Sequence, residues 1–106
     1  MPASVFSRST ECHNQDKVSM GTIAARDAIR VLELTEQVAA ATLLAANQGV
    51  WLRGQAEDAR PLPPALAAMH EELAKDFPPV IEDRALEGEL RLCLQRIAEQ
   101  HWRLHA

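Results

Sequence analysis

Tyrosine is missing altogether, and the chain holds only two Trp and two Phe, so aromatics make up 4% of it. Nothing around Trp51 or Trp102 suggests stacking on a nucleic acid; both read as anchors for a core or an interface. A basic excess is missing too. Fifteen Asp and Glu outnumber 11 Lys and Arg, giving a net charge of -4, whereas a nucleic-acid or anionic-membrane surface wants a basic face. No window approaches the roughly 18 charge-free apolar residues of a membrane span. The start, Met1-Pro2-Ala3-Ser4, lacks the charged-then-apolar order of a secretion signal. Cys12 and Cys93 are too few for a disulfide framework and have no metal-finger spacing, so a reduced, cytoplasmic setting is expected and no metal site. No alternating strand pattern, internal repeat or low-complexity tract appears, and 106 residues allow one domain or less.

What is present is helix former. Residues 1–21 are polar and mixed and read as a loop or arm. From Thr22 to Gln48 there is no Gly or Pro, and Ala, Leu, Arg, Glu and Gln dominate. Ser19 is placed to cap this run, and Gly49 and Gly54 mark where it can stop. Its first half is amphipathic, with Arg26, Arg30, Glu33 and Gln37 opposite Ala24, Ala28, Val31, Leu32, Thr35 and Ala39. The i,i+3 pairs Asp27–Arg30 and Arg30–Glu33 are each expected to add about 0.2–0.5 kcal/mol. The second half, Val38 to Ala46, is apolar all round except Thr42, and such a helix must be buried all round. Thirty helical residues span about 45 Å, against a radius of gyration of about 13 Å for a compact hundred-residue domain. The helix therefore calls for partner helices from other chains, and its many Ala residues permit close approach.

Residues 54–106 form a C-terminal helical region after the assembly helix assigned to 22–53. Gln55 to Pro64 is a polar, proline-rich connector. Pro63-Pro64 suit the start of a second helix and Pro78-Pro79 its end, with Leu66, Met69, Leu73 and Phe77 as the apolar stripe. A third helix is expected from about Leu86 to Leu104, with Leu90, Leu94, Ile97 and Leu104 on one face. Gly88 weakens its first turn by up to ~1 kcal/mol relative to Ala. The expected fold is all-α: one very long central helix and two shorter ones, assembling into an oligomeric bundle. His101 and His105 share a helix face but have no third ligand in reach, and read as surface histidines. His70 reads as a boundary residue and Cys93 as a buried, inert thiol. Cys12 beside His13 lacks the further groups that a nucleophile needs.

The segment Glu11-Cys12-His13-Asn14-Gln15-Asp16 packs a carboxylate, an imidazole and two amides into a loop set against a rigid helix, which is how binding sites are commonly built. On composition alone, such a cluster is more often a solvated turn with a helix cap. The exact string goes further. Ser9-Thr10-Glu11-x-His13-Asn14-Gln15-Asp16-x-x-Ser19-Met20-Gly21 resembles the signature of the aromatic amino-acid lyases, which comprise the phenylalanine, tyrosine and histidine ammonia-lyases and their 2,3-aminomutase relatives. Thr22-Ile23-Ala24-Ala25-Arg26 and Leu43-Leu44-Ala45-Ala46-Asn47-Gln48 look like that family's central helix. Phe77-Pro78-Pro79-Val80-Ile81-Glu82-Asp83-Arg84-Ala85-Leu86 resembles its C-terminal element, with Ala85 where Pro is usual.

The resemblance implies a helical homotetramer that eliminates ammonia from an aromatic α-amino acid. Its electrophile is a methylidene-imidazolone ring made from an Ala-Ser-Gly tripeptide, and a tyrosine is its base. Glu11 then matches a carboxylate near the substrate amine, where it can hold an ammonium and accept a proton. Gln15 matches an amide facing the ring and substrate. Asn14 and His13 are implied as substrate-side residues that orient the loop, and Asp16 and Ser19 as helix caps. Asn14-Gln15-Asp16, in place of the Gln-Glu-Asp usual in histidine lyases, leans toward the phenylalanine, tyrosine and aminomutase side. The departures are large: no Ala-Ser-Gly occurs and no tyrosine exists. The expectation is a C-terminal fragment or split subunit, inactive alone and completed by a separate N-terminal polypeptide that brings the prosthetic group. The alternative is a non-catalytic oligomerisation or interaction module derived from the family.

Overall fold

A computed structural model describes residues 3–5 and 19–102. Among them are a short 3-10 turn, Ala3–Val5, and three α-helices: α1 (Gly21–Gly54), α2 (Pro64–Asp76) and α3 (Glu87–Ala98). No strand occurs among the described residues, as the all-α reading expects. The chain divides into two units whose boundary falls inside α1, between Thr35 and Glu36.

Helix α1 begins where Ser19 Oγ accepts from the Gly21 N–H at 3.3 Å and the Met20 carbonyl accepts from Ala24 at 2.9 Å. Thr35 and Thr42 each donate a hydroxyl proton to the carbonyl four residues back, Val31 and Val38, at 2.7 Å. That bond lets Thr42 sit inside an otherwise apolar run without an unpaired hydroxyl. Gly49 does not end the helix. It lies inside it, at a cost of up to about 1 kcal/mol against Ala, and α1 runs on to Gly54. Turns then follow, with Gln55 donating to Leu52 and Ala56 to Arg53.

Pro63 is extended (ψ 142), as a residue before proline must be, and Pro64 opens α2 where its missing N–H costs nothing. The helix closes with Phe77 N–H donating to the Leu73 carbonyl at 2.9 Å, and Pro78 prevents continuation. Helix α3 carries Glu87 and Glu89 in its first turn, facing the positive end of its dipole. It stops at Ala98, earlier than the expected Leu104. Gln100 takes a left-handed conformation (φ 52), its N–H donates to Ile97, and the His101 N–H donates to Arg96. These are the two bonds of a Schellman stop, and they turn the chain back so that Trp102 enters the core.

That core belongs to the C-terminal unit: Ala40, Leu73, Phe77, Cys93 and Trp102 are buried, with Leu43, Leu44, Met69, Leu90, Leu94 and Ile97 packed against them. Phe77 and Trp102 meet at a ring-centroid separation of 6.3 Å, tilted by 54°. The α2 stripe is shorter than expected, because Leu66 is 55% exposed. The demand that Val38–Ala46 be buried all round is not met within this chain: Ala40 is buried while Val38 is 66% exposed. Asp27, Arg30 and Glu33 form none of the ion pairs found among the described residues. Those join Arg84 to Glu89, Arg91 to Glu87, Arg96 to Asp76 and His101 to Glu72.

Candidate functional site

The sequence-derived site residues Glu11, His13, Asn14 and Gln15, with Cys12 and Asp16, lie outside the described residues. Of that motif the structure describes Ser19, Met20 and Gly21, which start α1. Ser19 thus has the capping role expected of it, through its bond to Gly21.

A second polar constellation lies in the C-terminal unit, where α1 meets the connector between α2 and α3. Gln48 Nε2 donates to the Val80 carbonyl at 3.0 Å, and the Val80 N–H donates to Gln48 Oε1 at 2.9 Å. Its neighbour Asn47 donates from Nδ2 to the Phe77 carbonyl at 3.4 Å. Asn47 Oδ1 lies 2.7 Å from His70 Nδ1. An amide oxygen only accepts, so His70 carries its proton on Nδ1. Two consecutive amides on α1 therefore hold both ends of the turn Phe77–Val80 and tie α2 to it through His70. Arg84 extends the same device. It donates to the Pro78 carbonyl at 3.2 Å and pairs with Glu89 of α3 at 2.7 Å. In the Glu82-Asp83-Arg84 string, the arginine is thus a staple across the connector.

Beneath this latch lies an open, mostly apolar cavity of about 630 Å³, walled by Ala41, Leu44 and Ala45 of α1, Phe77, Pro78 and Val80 of the connector, and Leu86 and Leu90. Asn47, Gln48, Glu87 and Glu89 supply its polar rim. Both amides are committed to the connector and Glu89 to Arg84. The arrangement is therefore suited to positioning backbone and taking up apolar groups.

Cys93 is the buried thiol of the described residues. It lies 3.9 Å from the Ala40 carbonyl, and burial pushes it above its ordinary value. That suppresses thiolate and makes it a core residue in chemistry as well as in place. Arg96 grips Asp76 through Nε at 3.1 Å and a terminal nitrogen at 2.9 Å, locking α3 to α2. His101 stands 3.6 Å from Glu72 and edge-on to Trp102. Its expected helical partner, His105, lies outside the described residues, which contain no group of three or more metal-ligating side chains. No helix of the described residues is long and apolar enough to cross a membrane.

The latch was not read from the sequence as a site. Its signal was there, in two adjacent amides closing the apolar run Val38–Ala46. Their partners are backbone groups about thirty residues away, and no side-chain pattern announces those.

Comparison with known proteins places these features. Residues 1–75 match the family model described as aromatic amino acid lyase. The histidine ammonia-lyase of Caenorhabditis elegans is 41% identical over 101 residues, covering 92% of this chain and 14% of that protein. That of Natranaerobius thermophilus is 37% identical over 98 residues, covering 92% of this chain and 18% of its own length. The MIO-dependent tyrosine 2,3-aminomutase of Streptomyces globisporus is 37% identical over 91 residues, covering 86% and 16%. The chain thus spans less than a fifth of the length of these curated relatives. No solved structure matches.

Proposed function

The chain belongs to the aromatic amino acid lyase family, and from that premise we propose that it is a C-terminal fragment or split subunit of an ammonia-lyase acting on an aromatic α-amino acid. The observation that carries this reading is the match over residues 1–75, which takes in the Glu11–Asp16 string together with α1. Glu11 is proposed to hold the substrate ammonium and accept a proton. Gln15 faces the reacting centre as an amide, and His13 and Asn14 orient the loop on the substrate side. The methylidene-imidazolone group supplies the electrophile in such enzymes. The 106 residues here contain neither Ala-Ser-Gly nor tyrosine, so on this proposal group and base are supplied from outside them. Substrates in this class are phenylalanine, tyrosine and histidine. The setting is cytoplasmic, and the long central helix α1 assembles into an oligomeric bundle, a tetramer.

A test is to co-express the chain with an N-terminal lyase polypeptide carrying Ala-Ser-Gly and the tyrosine. Release of the 2,3-unsaturated acid is then followed by its ultraviolet absorbance. Restored turnover that falls about 100-fold or more in Glu11→Gln, and again in Gln15→Ala, supports the proposal. Turnover indifferent to both substitutions removes these residues from the site.

One observation favours a second reading, a non-catalytic oligomerisation or interaction module. Large apolar side chains of α1, among them Ile29, Leu32 and Val38, are more than half exposed in the single chain. Stable self-association of the chain, with no turnover restored by any N-terminal polypeptide, selects that reading.

A further inference from the structure

We propose that the open cavity between the end of α1 and the connector leading into α2 binds a small organic carboxylate, its charged head taken by Arg53 and Arg60 and its apolar body set against Trp51. The cavity measures about 170 Å³, against about 30 Å³ for one molecule of liquid water, which is room for a carboxylate with a small apolar body. Arg53, Arg60 and His70 line it, and Val50, Trp51 and Leu62 supply its apolar wall. Local turns bring the two cations together. The Gln55 N–H donates to Leu52, that of Ala56 to Arg53 and that of Ala59 to Ala56, and the chain folds back until Arg60 meets the space that Arg53 borders. On the α2 side, His70 is held in place by its Nδ1 bond to Asn47 at 2.7 Å.

Two guanidinium groups bordering one small cavity repel each other, and an anion between them turns that repulsion into attraction. The setting makes the pair unusual. The chain is acidic overall, and the other described arginines of the C-terminal unit, Arg84, Arg91 and Arg96, each pair with a carboxylate. Arg53 and Arg60 enter none of the ion pairs among the described residues. Glu57 and Asp58 lie between them in sequence, yet neither acid lines the cavity. Arg53 stands in the last turn of α1, where a cation also complements the helix dipole; that accounts for one arginine and not for its companion. A guanidinium fork matches a carboxylate through two parallel bonds. The half-buried Trp51 beside it offers an apolar surface that a bare inorganic anion would leave wet, and this wall selects an organic one.

The test is a proton–nitrogen NMR titration of the full 106-residue chain with benzoate, sulfate and benzyl alcohol in turn, at constant ionic strength. The two tryptophans give two indole N–H signals; Trp51 lines the cavity, whereas Trp102 is buried in the core. Benzoate is expected to move the Trp51 signal saturably and to leave that of Trp102 in place, with sulfate and benzyl alcohol each binding at least about 10-fold more weakly. Arg53→Gln and Arg60→Gln should each weaken benzoate about 10-fold or more, while Arg91→Gln, on the far helix, leaves it unchanged. Both arginines are exposed, so neither substitution touches the core, and an unmoved Trp102 signal checks that. Sulfate binding as tightly as benzoate overturns the organic ligand, and benzyl alcohol doing so overturns the role of charge. No saturable shift below about 20 mM benzoate, or equal weakening in all three variants, overturns the site itself. The readout involves neither Glu11 nor an N-terminal polypeptide, so failure of the complementation experiment leaves this result standing.

Discussion

The two halves of α1 share one continuous backbone and differ in what surrounds them. The first half carries the large apolar side chains Ile29, Val31, Leu32 and Leu34 and leaves them about half or more exposed. The second half carries Leu43, Leu44 and Trp51 as well as five Ala, yet the one buried residue of the helix is Ala40. Side-chain size does not decide burial here; reach does. A methyl group at position 40 lets α3 come close enough for Cys93 to contact the Ala40 carbonyl, and α2 and the connector close in beside it. In the first half, by contrast, even Ile29 stays 60% exposed. The hydrophobic effect acts on area removed from water, and the first half removes little of it within this chain.

That contrast can be broken most forcefully at Phe77. Phe77→Ala is expected to cost the C-terminal unit about 3–5 kcal/mol, read as a lower urea midpoint, while Leu32→Ala in the exposed half changes the midpoint by less than about 0.5 kcal/mol. Equal effects would mean the halves are energetically alike. Next comes the latch. Gln48→Ala leaves the Val80 N–H and carbonyl without their partner, at about 1–3 kcal/mol. Gln48→Glu keeps an acceptor for the N–H and loses the donor for the carbonyl, so its midpoint should fall between alanine and wild type.

The thiol supplies a pH test of the same unit. Burial raises the folded Cys93 above its ordinary value of 9.0. Below that value both states hold the proton and the group adds no pH dependence. Above it the unfolded thiol ionises first and stability falls as pH rises. Urea midpoints of wild type and Cys93→Ala should therefore converge as pH climbs past this range; a constant difference would mean the burial is not maintained in solution. The smallest effect is expected at Gly88, where an added Cβ meets nothing within 4 Å. Gly88→Ala should stabilise α3 by about 0.5–1 kcal/mol, seen as a small rise in melting temperature.

Much of this architecture was legible because helices announce themselves locally. The Gly- and Pro-free run after Thr22 and the prolines at 63–64 and 78–79 set the starts and stops of α1 and α2 to within a few residues. Gly49 misled, since a glycine marks only where a helix can end, and the bonds of Gln48 hold that turn in place. The end of α3 was illegible for a different reason. Its stop uses Gln100 in a conformation that favours glycine or asparagine, held by its two capping bonds and accompanied by the contact of Trp102 with Phe77. Of the candidate site, the string Glu11–Asp16 was visible as chemistry, whereas the latch depends on the path of a connector that no local pattern encodes.

The bond pair between Gln48 and Val80 has one more consequence. A carboxamide offers the same donor and acceptor as a peptide group, so the glutamine side chain acts as a single rung of β-sheet borrowed by an all-helical protein. Asparagine has the right atoms but is one methylene too short, glutamate cannot donate, and lysine cannot accept. Position 48 therefore favours glutamine for a reason of length and polarity together, although the residue looks interchangeable in the sequence.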